Sequence, residues 1–258
     1  MKQFIKIDNQ LFKLNNEYFK RISTESFAIY CYIIMKIGPN SFVDLSIKQI
    51  QQFLETKIDY DLTIKDKKDK TDKKINVKVK NLNDTRTVKK HLDNLVSQEF
   101  IVADKDIKIV NVGDFIIFSL NEELFKQEDE EKTSGFTPIN VDLFKDEIKN
   151  IGCTGWTILC LLTNLFNPNF GQESCEGFAN PSEEYISKVL DVGLTTTKKY
   201  LKILEKKKLI KIEEQPSIKV INKYGEETDQ YLPNHYIVKN RLIGNKYYLD
   251  LNKDKKSA

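Results

Sequence analysis

Thr195, Thr196, Lys198, Lys199, Lys202 and Lys206 place small hydroxyls and ammonium groups at helical spacing within one short stretch. Ammonium groups neutralise phosphates, and small hydroxyls bond to phosphate oxygens and base edges, so the chemistry such a set supports is binding rather than bond making. From Leu194 to Lys211 there are seven Lys and one Glu, a local +6 in a chain of formal charge +3. Thr85, Arg86, Lys89 and Lys90 form a related but weaker set, offset by Asp84, Asp93 and Glu99. Lys219 and Lys223 flank a later turn, where Glu226, Glu227 and Asp229 oppose them. Signs of catalysis are lacking. His91 and His235 are the only histidines, and Cys31, Cys153, Cys160 and Cys175 form no C-x-x-C pair. Neither a G-x-x-x-x-G-K loop nor a G-x-S-x-G elbow occurs. The expectation is a protein that is not an enzyme, with no catalytic residue, metal or cofactor.

The elements that must position these residues occur twice. Phe4 to Lys13 aligns with Phe136 to Lys145 at an offset of 132, matching Phe, Ile, Leu, Phe and Lys. Each copy continues into an apolar helix, one from Phe27 to Ile37 that stops at Gly38-Pro39, the other from Trp156 to Phe166 that stops before Pro168. The match resumes at an offset of 109, where Thr87 to Leu95 aligns with Thr196 to Leu204. The offset shrinks because the first copy carries a Lys- and Asp-rich insertion at 56–83, read as a flexible loop or a charged hairpin. Two matching blocks in the same order argue for duplication of a unit of about 120 residues.

Within the second unit Ser182 caps a helix that carries Tyr185, Ile186, Val189 and Leu190 and ends at Gly193. A second helix then turns Leu194, Thr197, Leu201 and Leu204 inward and Thr195, Thr196, Lys199 and Lys202 outward. Alternating strands follow at Leu209–Ile212, Ile218–Ile221 and Tyr231–Val238. In the first unit Ser46 and Asp84 cap the corresponding helices, and Ile107 to Val112 with Phe115 to Leu120 read as the hairpin joined by Gly113-Asp114. His91 and Tyr200 occupy matched flanking positions, read as core packing, while Arg86 is open between a guanine contact and a salt bridge to Asp93 or Glu99. Trp156 reads as an anchor of the second core or of the interface between units.

The fold class expected is therefore α+β, with two tandem winged-helix units. Their bounds are an N-terminal domain at 1–126, a linker at 127–135, a C-terminal domain at 136–251 and a tail at 252–258. No apolar stretch reaches the roughly 20 residues of a membrane span, and Met1 to Lys6 lacks a signal-peptide pattern, so no membrane partner and a cytoplasmic location are expected.

The pattern from Pro181 through Lys211 resembles the helix-turn-helix module of bacterial and phage DNA-binding proteins. The opening Phe4-Ile5-Lys6-Ile7 with Leu11-Phe12, ahead of a Ser- and Thr-initiated apolar helix, resembles the N-terminal domain of plasmid replication initiators from low-GC Gram-positive bacteria. The resemblance implies a sequence-specific protein that binds double-stranded DNA at repeated sites, with Thr195, Thr196, Lys198, Lys199, Lys202, Lys206, Thr85, Arg86, Lys89, Lys90, Lys219 and Lys223 as contacts. A homodimer, or replication or segregation proteins, are the further partners it allows. A transcriptional regulator or partition accessory protein is the alternative within the binding class. A winged-helix scaffold for protein partners is the alternative outside it, and a nuclease or relaxase is the least favoured.

Overall fold

An alternating Phe-Ile-Lys-Ile-Asp run forms strand β1 (Phe4–Asp8), with Ile5 and Ile7 turned inward. A 3-10 turn at Asn9–Phe12 follows, then helices α1 (Tyr18–Arg21) and α2 (Thr24–Ile37). Ser23 caps α2 by accepting from the Ser26 amide, and Gly38 ends it at φ 55. Strand β2 (Phe42–Ser46) leads into α3 (Ile47–Leu54), where Ser46 and Gln49 satisfy each other's backbone amides in a capping box. Strands β3 (Thr56–Lys65) and β4 (Asp72–Asn81) make a hairpin, followed by α4 (Thr85–Ser97), β5 (Ile101–Ala103) and β6 (Phe115–Leu120). The antiparallel sheet order is β2-β6-β5.

The computed structural model describes residues 4–65, 72–124, 135–166, 177–221, 227–239, 242–243 and 246–247. Its second half runs β7 (Phe136–Asn140), α5 (Val141–Asn164), α6 (Glu183–Leu190), α7 (Leu194–Lys206), β8 (Ile210–Glu213), β9 (Ser217–Ile221), β10 (Glu227–Tyr231) and β11 (His235–Val238). A short pair, β12 (Leu242–Ile243) with β13 (Lys246–Tyr247), follows. Ala179 bridges to Tyr236 of β11, which pairs with β8, so the arrangement β2-β6-β5 of the first half recurs here. The architecture is α+β; apart from the β3–β4 hairpin the first half runs helix, strand, helix, helix, strand, strand, and the second half follows it with the Ala179 bridge in place of β2 and the β9–β10 hairpin between β8 and β11.

Backbone detail carries the repeat further than the side chains do. Four of the five described non-glycine residues with positive φ form two pairs at the offset of 109: Leu82 with Asp191, and Glu99 with Lys208. The first pair ends the segment that precedes α4 or α7, and the second closes the turn that follows it. Such conformations strain non-glycine residues, so their recurrence marks a shared backbone path rather than shared composition.

β1 and β7 pair antiparallel with Lys6 opposite Pro138, which are themselves equivalent at the offset of 132. Phe4 accordingly faces Asn140, and Asp8 faces Phe136. A strand pair centred on two equivalent residues is what a local two-fold rotation produces. The hydroxyls of Thr24 on α2 and Thr154 on α5 share a hydrogen bond at 3.1 Å. One buried apolar cluster runs through both halves, including Phe27, Ile33, Val88, Phe144, Trp156 and Leu201. Trp156 is fully buried against Phe144 with ring centroids 4.6 Å apart.

Two local expectations require correction. Helix α6 ends at Leu190 with Asp191 as its left-handed cap, and Gly193 instead begins α7 at φ −60. An Asp tolerates the left-handed conformation, which left Gly193 free to start the next helix. Ile107 to Val112 forms turns rather than a strand, because Ile107 and Val110 plug the core while β5 takes the place beside β6. Asp93 pairs with Lys108 at 3.8 Å, and no ion pair among the described residues joins Arg86 to Asp93 or Glu99. The insertion is the hairpin β3–β4 over its described residues. Of the linker at 127–135 only Gly135 is described, and the tail lies outside the described residues.

Candidate nucleic-acid interface

Helix α7 is held by its inner face. Thr197, Leu201, Ile203 and Leu204 are buried, and Tyr200 packs against α5, where a Cβ on Gly155 would lie 3.1 Å from its ring. Burial pushes the Tyr200 phenol up to about 12. At 100° per residue this leaves Thr195, Lys198, Lys199, Lys202 and Lys206 on one outward stripe. Lys198 pairs with Glu183 of α6 at 3.5 Å, and Lys202 with Glu205 at 3.0 Å. Both pairs are partly exposed, so each is worth at most about 1 kcal/mol and exchanges readily for a phosphate. Lys199 has no ion-pair partner among the described residues. Lys206 is engaged differently, donating to the Asp61 carbonyl oxygen of β3 at 2.7 Å.

Helix α4 is built the same way with weaker charge. Asp84 caps it by accepting from the Thr87 amide at 2.7 Å and the Thr87 hydroxyl at 2.8 Å, and these bonds hold its carboxyl below the usual range. Val88, Leu92 and Leu95 are buried. Arg86 and Lys90 are exposed and Thr85 is half-buried, while Lys89 donates to the Val110 carbonyl oxygen at 3.0 Å. Of the four first-unit candidates, Arg86 and Lys90 are thus presented to solvent.

The two helices meet at a cleft of about 520 Å³ between the halves. Lys90, His91 and Asn94 of α4 line one side, Gly193 and Thr196 of α7 the other, and Lys20, Arg21, Thr24 and Thr154 the floor and rim. Thr196 therefore lies on the cleft flank of α7 rather than at the centre of its outward stripe. His91 bonds through Nδ1 to the hydroxyls of Ser26 at 3.0 Å and Ser23 at 3.2 Å, and burial lowers its pKa below the ordinary value. Its counterpart Tyr200 has polar neighbours too, Thr154 and Asn81.

The hairpin β9–β10 stands away from the core, with Ile218, Ile221 and Tyr231 exposed, and Lys219 pairs with Glu227 at 3.0 Å. Lys223 and the turn at 224–226 lie outside the described residues. No group of three or more His, Cys, Asp or Glu suited to a metal occurs among the described residues, and no described helix is long and apolar enough to cross a membrane.

Sequence reasoning missed the docking of β3–β4 onto the second half. The Tyr60 hydroxyl donates to the Asn150 carbonyl oxygen at 2.5 Å, and Lys206 and Lys207 lie over the Tyr60 ring at 5.9 and 5.7 Å. Alternation at Ile58, Tyr60, Leu62, Val77 and Val79 was the available signal, since it predicts a face that something must cover. Comparison of the chain with protein-family models, curated proteins and solved structures finds no match.

Proposed function

We propose that this chain is a sequence-specific duplex DNA-binding protein of two winged-helix units, acting in the cytoplasm without a catalytic step as a plasmid or phage replication initiator does. The observation that carries the reading is the outward stripe Thr195, Lys198, Lys199 and Lys202 on a helix that follows a tight turn from α6. A helix so placed fits the major groove, with cations on phosphates and hydroxyls toward base edges. The element order that the two halves share, with its 1-3-2 strand arrangement, agrees with a winged-helix plan. Helix α4 supplies a second, less basic reader through Arg86 and Lys90, and the hairpin β9–β10 with Lys219 is the second unit's wing. A transcriptional regulator is the second reading, favoured by the cleft between the halves, a concave site of a size that holds a small effector.

The test is fluorescence polarisation on duplex fragments flanking the chain's own gene, at two salt concentrations with competitor DNA. Binding that resists competitor and maps to repeated sites is expected, with affinity falling steeply as salt rises. Absence of binding even at low salt would overturn the reading in favour of a protein-interaction scaffold.

A further inference from the structure

Two basic segments far apart in the chain meet in the fold. Strands β3 and β4 together hold six Lys and three Asp, a net +3, and the segment Leu194 to Lys211 holds +6. The chain as a whole is only +3, so everything outside these segments sums to −6. The hairpin's inner face, Tyr60, Leu62, Val77 and Val79, is buried on the second half. Its seam with α7 is the Lys206 bond to the Asp61 carbonyl oxygen and the stacking of Lys206 and Lys207 on Tyr60. The opposite face of the hairpin presents Lys57, Lys74 and Lys78, all exposed, along with exposed Asp59, which faces Lys78 across the ladder, and exposed Asp61. Lys57 pairs with Glu55 at 3.2 Å, while Lys74 and Lys78 have no ion-pair partner among the described residues.

Resting on the DNA-binding reading, we propose that the β3–β4 hairpin is an arm which the first unit lends to the second. It extends the phosphate-binding surface of α7 along the duplex through Lys57, Lys74 and Lys78. Ten residues of strand span about 33 Å, close to one turn of duplex, so the arm is long enough to follow the backbone beyond the groove that α7 occupies. Lys206, read from sequence as a phosphate contact, becomes a positioning residue at the joint between arm and helix. A two-stranded hairpin alone is marginal in water. Anchoring by Tyr60, Val79 and Lys206 turns it into a fixed element whose exposed cations are presented without a large ordering cost.

The experiment compares the full-length protein with two variants, Lys57→Ala/Lys74→Ala/Lys78→Ala and Lys198→Ala/Lys199→Ala/Lys202→Ala, on the same duplex across a salt series. Thermal melts of the arm variant should match the parent, since all three side chains are exposed. If the arm contacts phosphates, its variant loses about 10- to 100-fold in affinity near physiological salt. Its log–log salt slope becomes shallower by about 2 to 3, near 0.9 per phosphate lost, and hydroxyl-radical protection shortens on one side only. A parent that binds, an α7 variant that does not, and an arm variant with unchanged slope and footprint would overturn the arm while leaving the DNA-binding reading intact. A parent that does not bind duplex DNA would overturn both.

Discussion

The two halves follow one backbone plan and spend it differently. In the first, α4 carries Arg86, Asp93 and Ser97 where α7 of the second carries Thr195, Lys202 and Lys206. His91 of α4 looks into an open cleft and bonds to two serines, whereas its counterpart Tyr200 packs half-buried against α5, with Asn81 and Thr154 beside it. The reason lies in the insertion. Under the two-fold of the β1–β7 ribbon, the place equivalent to the cleft lies between the kink of α5, helix α7 and the connection from α3 to α4. That connection is the β3–β4 hairpin, and it fills the space. Of two similarly built surfaces, the β3–β4 hairpin fills one, and the second half carries the more basic helix.

The strongest way to break this asymmetry is at the kink of α5. Gly152 sits at φ +68 and ψ 176, and a Cβ there would lie 2.6 Å from the Val79 Cγ1 atom and 2.8 Å from the Asn81 Nδ2 atom. Gly152→Ala combines a backbone conformation that side chains reject with overpacking of the arm. It should cost about 2–5 kcal/mol, read from urea unfolding midpoints. A loss below about 0.5 kcal/mol would mean that the arm is not seated there.

Next in size is the contrast between helices. Lys198→Ala/Lys199→Ala/Lys202→Ala should weaken duplex binding by about 10- to 100-fold. Arg86→Ala/Lys89→Ala/Lys90→Ala should cost less than about 10-fold, because Lys89 is already bonded within its own unit and only two exposed cations are removed. Equal losses in a binding titration would show the two halves to be equivalent readers.

A smaller effect separates His91 from Tyr200. Burial lowers the folded pKa of His91 below 6.5, so as pH falls the unfolded chain takes up the proton first. Stability is complete above the unfolded value and is lost as pH drops through about 6.5 toward the folded one. His91→Tyr, which copies the second half, should remove that loss, whereas a parent and variant with the same change in urea midpoint between about pH 7.5 and 5.5 would contradict it. The Tyr200 phenol, pushed up to about 12, stays neutral throughout this range.

The smallest effect lies at the caps. Gly193→Asp would give α7 the side-chain cap that Asp84 gives α4, at φ −60 and with only the Thr196 hydroxyl near its Cβ, at 3.8 Å. Stability should rise by a few tenths of a kcal/mol. Duplex binding should fall, because the carboxylate meets the phosphates. A variant bound as tightly as the parent would place the start of α7 away from the DNA.

Much of this was legible in the residues. Ser46, Asp84 and Ser182 announced three helix starts, and all three accept the expected backbone bond. The inward faces Val88, Leu92, Leu95 and Leu201, Leu204 followed from spacing alone. Gly193 misled because a Gly after an apolar run ordinarily ends a helix, and here Asp191 takes the left-handed cap two residues earlier. Ile107 to Val112 misled because apolar residues at alternate positions also occur in a turn that drops two of them into the core.

The sequence by itself determined the inward faces of α4 and α7, the N-caps of α3, α4 and α6, and the stripe of cations on α7, because each depends on residues only a few positions apart. Tertiary structure alone decided that β1 pairs with β7 about a centre of local symmetry, and that α4 and α7 share a cleft. It also placed an arm from the first half beside the second half's most basic helix. Those arrangements rest on contacts such as Lys206 with Asp61, separated by 145 residues. Burial of matching apolar faces selects such a contact, and the distance between the partners leaves no local pattern to announce it.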